Sequence, residues 1–78
     1  MSQFTLGAIV TRLGVGVGGG NIIKGSEFNV GIQQLGVNPQ NLFSNPKHRV
    51  EIQRQLAAQG VNLPLHLINR TTFNVRKV

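Results

Sequence analysis

Asn45-Pro46-Lys47-His48-Arg49-Val50-Glu51-Ile52-Gln53-Arg54-Gln55-Leu56-Ala57-Ala58-Gln59-Gly60 carries the signals for both ends of one helix. An asparagine placed immediately before a proline can accept hydrogen bonds from the first helical amides. The proline's missing N–H would be unpaired at that position anyway. Gly60 offers the left-handed residue on which helices commonly end. A helix is therefore predicted over residues 46–59. On a helical wheel Ile52 and Leu56 form one apolar stripe with Arg49 beside it, Val50 and Ala57 lie on another flank, and Lys47, Glu51, Arg54 and Ala58 make the polar face. Such a helix is expected to cover a small sheet with one edge and to leave the other in water. His48, between two basic residues in the first turn, is expected to be solvated.

Downstream, Val61, Leu63, Leu65 and Leu67 alternate with Asn62, Pro64, His66 and Ile68 at the period of a strand. Pro64 has no N–H to give a ladder, so this segment is an edge strand or no strand at all. Asn69-Arg70 is a turn candidate, and Thr71 to Val78 a second strand with Phe73 and Val75 facing one way. Upstream, Asn38-Pro39 should start a short turn through Phe43. Phe28-Asn29-Val30-Gly31-Ile32-Gln33 alternates as a half-buried strand does and comes directly after the turn signal Gly25-Ser26 and Glu27. A helix capped by Ser26 and ended by Gly36 would instead align Phe28, Ile32 and Leu35, and Gly31 weakens either choice. Thr5 to Leu13 fits a helix with Leu6, Ile9, Val10 and Leu13 on one stripe or a strand rich in Ile, Val and Thr, and the strand is preferred.

These elements give an α+β fold in one small domain: a helix over 46–59, short strands, and an extended glycine-rich arm at the N-terminus. The arm is expected to span residues 1–25 and the body residues 26–78. The arm's centre is Leu13-Gly14-Val15-Gly16-Val17-Gly18-Gly19-Gly20-Asn21. Gly14 to Gly19 match the spacing of a dinucleotide-binding fingerprint, but Ile22-Ile23 and a turn come next where that motif needs a helix. Fixing the seven residues Gly14 to Gly20 costs roughly 7–14 kcal/mol in backbone entropy. Burying Val15 and Val17 stabilises by only about 1.5–3 kcal/mol each. A run held in one conformation thus needs a neighbour, and Gly14, Val15, Gly16, Val17, Gly18, Gly19 and Gly20 are the expected partner-binding residues.

With 78 residues and no cysteine, the chain is one domain without disulfide or thiolate–metal staples. No secretory leader is expected, because no basic region precedes the first apolar stretch. Residues 4–23 have the length of a membrane span, but six glycines and three polar residues dilute it, so membrane association is not expected. Glu27 and Glu51 are the only acids, there is no aspartate, and His48 and His66 have no third ligand between them. General acid–base work and metal binding both need such groups to converge. No catalytic, cofactor-binding or metal-binding residues are therefore assigned.

Eight basic residues against two acids leave a formal charge of +6, which favours acidic or phosphate-rich partners. Lys47, Arg49, Arg54, Arg70, Arg76 and Lys77 could contact phosphates if they shared a face. Without tyrosine or tryptophan, and with its phenylalanines not interleaved with the basic residues, the chain lacks a base-stacking platform. Gln55 to Asn62 is similar to the turn of a helix-turn-helix over eight residues, but the next segment, Leu63-Pro64-Leu65-His66-Leu67, would make an apolar recognition helix. Asparagine and glutamine together number 15, and such side chains hydrogen-bond to other protein without the desolvation cost of an ion. The basic, amide-rich, cysteine-free composition is similar to that of small virion proteins of bacterial viruses. The expected function is a non-enzymatic structural subunit of a larger assembly, with other protein subunits as partners. The alternative is sequence-independent nucleic-acid binding through the basic C-terminal half.

Overall fold

The first strand, β1 (Ser2–Ala8), forms the middle of a three-stranded antiparallel sheet in a computed structural model that describes residues 2–9 and 22–78. Its neighbours are β2 (Glu27–Ile32) on one side and β3 (Phe73–Lys77) on the other, giving the order β2-β1-β3. Phe4 stands opposite Val30 and Lys77, and Leu6 opposite Phe28 and Val75. Strand side chains alternate between faces, so Phe4, Leu6 and Ala8 point inward together with Val30, Ile32 and Phe73, all of them buried. Phe28 meets Phe73 edge-on across β1, with ring centroids 6.3 Å apart and planes at 89°, a preferred arrangement of aromatic quadrupoles.

Two expectations about the N-terminal part change. The strand preferred from Thr5 onward is present as β1, but it belongs to the body and occupies the centre of its sheet. The boundary between arm and body does not fall at residue 25. The glycine run is instead the connection from β1 to β2, and the residues on either side of it are tied to the sheet. The Ala8 N–H donates to the Ser26 carbonyl (2.8 Å), the Gly25 N–H to the Ala8 carbonyl (2.9 Å), and the Ile9 N–H to the Thr72 carbonyl (3.0 Å). Ile22 is buried in the core. The arm residues Gly14 to Gly20 themselves lie outside the described residues.

The helix α1 (Pro46–Ala58) begins and ends as its sequence requires. The Asn45 side chain accepts from the Lys47 N–H at 2.9 Å. At the far end the Gln59 N–H donates to the Leu56 carbonyl and the Gly60 N–H to the Ala57 carbonyl, with Gly60 left-handed at φ +89°. Ile52 and Leu56 are fully buried and join the sheet's inner face in one core, while Val50 and Ala57 stay exposed. This is the one-edge packing expected. His48 departs from expectation: it is only 8% exposed. The reason is its phase, since residues 48, 52 and 56 fall on one stripe at i, i+4 and i+8.

Residues 61–68 form no strand. Val61, Leu63 and Ile68 are buried, but the chain runs irregularly into a 3-10 turn at Leu65–Leu67. The Leu63 carbonyl receives the Gln53 side-chain amide at 2.7 Å, and Pro64 has no N–H. The period-two pattern here marks a loop that drops alternate side chains into the core. Asn69 then turns the chain into β3, its side-chain oxygen accepting from the amides of Thr71 (2.9 Å) and Thr72 (3.0 Å). The turn after Asn38 leads to a second 3-10 turn, Leu42–Ser44, that buries Leu42 and Phe43.

Candidate functional site

The surface feature with the clearest consequence is the pair of sheet edges. In an antiparallel ladder the backbone groups of successive residues point alternately toward one neighbour and the other. On β2 the groups facing away from β1 are those of Glu27, Asn29 and Gly31, because Ser26, one residue earlier, bonds to β1. The α1 side chains cap the Gly31 and Asn29 part of this edge. The Gln55 carboxamide accepts from the Gly31 N–H at 2.9 Å and donates to the Gly31 carbonyl at 2.6 Å, the same two bonds that a neighbouring strand residue would make. Gln59 donates to the Asn29 carbonyl at 3.0 Å. Glu51 fixes the Gln55 amide from its other side at 3.1 Å and is itself 3.4 Å from Arg54.

On β3 the phase is set by two bonds flanking the strand, from the Val78 N–H to the Gln3 carbonyl and from the Ile9 N–H to the Thr72 carbonyl, each 3.0 Å. Even-numbered residues therefore face β1, and Phe73, Val75 and Lys77 direct their backbone groups outward. The Phe73 N–H is taken by the Asn69 carbonyl at 3.1 Å. The Phe73 carbonyl and both backbone groups of Val75 and Lys77 have no partner among the described residues. This edge is open.

The six basic residues do not gather on one face. Arg76 and Lys77 are consecutive in a strand and point to opposite sides of the sheet. Arg76 reaches over β1 to Glu27 at 3.3 Å on the face away from α1, and Arg54 is paired with Glu51 on the helix. Lys47 is exposed in the first turn of α1 and Arg70 in the turn before β3. Arg49 is half-buried with its Nε enclosed and without a hydrogen-bond partner.

A shallow depression beside the start of α1 is lined by Gln34, Val37, Asn45, Pro46 and His48. The His48 Nε2 meets the Gln34 Oε1 at 2.7 Å, while its Nδ1 is buried without a partner. The helix start offers no free donors to an anion. Lys47 bonds to the Asn45 side chain, and the amides of His48 and Arg49 bond to the Asn45 carbonyl at 3.0 and 3.2 Å. His66 is exposed in the 3-10 turn and takes no part in this depression. Among the described residues no three histidines or carboxylates come together for a metal ion, and no helix is long and apolar enough to cross a membrane. Where a helix-turn-helix would place its second helix, the chain has only the three-residue turn Leu65–Leu67.

Sequence reasoning missed Gln55 and Gln59. The available signal was their i, i+4 spacing along the border of the Ile52–Leu56 stripe, where a polar side chain meets whatever the stripe covers. Compared with protein-family models, curated proteins and solved structures, the chain matches none.

Proposed function

We propose that this chain is a non-enzymatic structural subunit of a larger assembly, of the kind represented by minor virion proteins of bacterial viruses. In this reading it meets other protein subunits through the glycine run Gly14 to Gly20 and through the β3 edge. The observation that carries the reading is the unequal treatment of the two sheet edges. One is capped at Gly31 and Asn29 by side chains of α1, and the other presents backbone groups that have no partner among the described residues. Exposed strand edges are templates for pairing with another chain. The glycine run connects two strands whose ends are tied to the sheet, so a partner bound to it would be held against the body.

The test is co-sedimentation of the chain with its assembly from the source cells, comparing the natural sequence with a double variant, Val15→Ser and Val17→Ser. The variant is expected to unfold at an unchanged denaturant concentration and to lose incorporation. Undiminished incorporation would remove the run from the interface.

Nucleic-acid binding is the second reading. The net charge of +6 favours it, as do Lys47, Arg70 and Lys77, which are solvent-exposed and have no acid paired to them among the described residues. It predicts binding to unrelated duplexes that weakens steeply as salt rises, and an absence of binding at low salt would eliminate it.

A further inference from the structure

The geometry points to a second copy of this chain as the occupant of the open edge, with β3 paired antiparallel to the partner's β3 across a two-fold axis at Val75. This rests on the reading of β3 as a partner-binding edge and names the partner.

The phase of the strand makes the arrangement self-complementary. Phe73, Val75 and Lys77 turn their backbone groups outward, so an axis at Val75 sets it opposite the partner's Val75 as a hydrogen-bonded pair. Each Val75 N–H then meets the partner's Val75 carbonyl, and each Lys77 N–H meets the partner's Phe73 carbonyl. The ladder stops there, because the Phe73 N–H is already held by Asn69. On the side chains, Asn74 falls opposite the partner's Arg76, and Phe73 opposite the partner's Lys77. No two like charges face each other, although each chain carries a net charge of +6. Arg76 also brings its own counter-ion, Glu27, from within the chain.

Closure argues for a copy over a foreign strand. Joining two three-stranded sheets through β3 gives the order β2-β1-β3-β3-β1-β2, and both outer edges are then β2. Those edges are capped at Gly31 and Asn29 by Gln55 and Gln59. With those positions capped, association through β3 is expected to end at two chains, as closed two-fold assemblies do.

The chain has no cysteine, so one introduced thiol gives an unambiguous readout. In a hydrogen-bonded antiparallel pair the Cα atoms are about 5.5 Å apart, inside the range of roughly 4.4–6.8 Å that a disulfide spans. Under mild oxidation Val75→Cys is expected to form a covalent dimer at least about tenfold faster than the exposed control Ser44→Cys, because the dimer holds its two thiols at a raised effective concentration. Asn74→Arg would set arginine against the partner's Arg76 at two symmetric places and weaken dimerisation by about 2- to 30-fold. The natural sequence should pass from monomer to dimer, and no further, between micromolar and millimolar concentration in sedimentation equilibrium. Equal cross-linking of the two thiols together with a monomer at millimolar concentration would overturn the proposal. A purified monomer that still enters a larger particle leaves the assembly reading standing and refutes the self-pairing alone. A dimer that never enters a particle does the reverse.

Discussion

β2 and β3 flank the same central strand, yet their outer edges meet the solvent in different ways. At β2 the helix places Gln55 against Gly31 so that one side-chain amide substitutes for a strand's peptide group, donor and acceptor together. At β3 no described residue does this for Val75 or Lys77. A neutral carboxamide can cap an edge without the desolvation cost of a charge, and among the described residues the chain uses this device on the β2 side only. The difference teaches that α1 has two duties. Ile52 and Leu56 supply the core, and the glutamines beside them decide which edge of the sheet stays available.

Removing what both edges share should have the largest effect. Phe4 is fully buried at the centre of β1, and Phe4→Ala is expected to destabilise the fold by about 3–5 kcal/mol, seen as a large fall in the urea midpoint. Both edges would be lost together. For the same reason, deleting the whole N-terminal stretch cannot test the glycine run, since it would remove β1. Next comes Gln55→Ala, which leaves the Gly31 N–H and carbonyl without their partner and should cost about 1–3 kcal/mol. This variant also breaks the asymmetry. With β2 open as well, the sedimentation profile should extend beyond dimer to larger species, and a profile unchanged from the natural chain would show that Gln55 does not guard the edge.

Gly60→Ala should come third at about 1–2 kcal/mol, read from the same urea midpoint, because φ is +89° there and a side chain disfavours that conformation even though a Cβ would meet nothing within 4 Å. Its effect reaches the β2 edge through Gln59, the residue just before it. The smallest change is expected from Glu27→Gln. The Glu27–Arg76 pair is largely exposed, so its contribution is about 0.2–1 kcal/mol before screening and should vanish in high salt.

How much of this was legible in the sequence depends on how local the determining interactions are. Asn45-Pro46 and Gly60 act within a turn of their own positions, and the helix they bound was readable to within a residue. Phe73 and Val75 were readable as one strand face because pleating is equally local. His48 was misplaced because it was read from its charged sequence neighbours, Lys47 and Arg49, and not from the stripe it shares with Ile52 and Leu56. Residues 61–68 alternate like a strand, but the Leu63 carbonyl is claimed by Gln53 from the helix, a contact no periodicity contains. The central position of β1 was hidden for a related reason: the glycine run suggested that all of residues 1–25 were one extended arm. Of the candidate site, the basic residues were visible in the sequence but their distribution over two faces was not. Neither edge could be read before the strand order was known.

The most direct measurement is amide hydrogen exchange at Gly31, Val75 and Lys77, monitored as the chain is concentrated. The Gly31 amide, held by Gln55, should be protected at every concentration. The amides of Val75 and Lys77 should exchange freely when dilute and become protected as dimer forms. Fast exchange of Gly31, or exchange of Val75 and Lys77 that ignores concentration up to the millimolar range, would contradict the account of one sealed edge and one self-pairing edge.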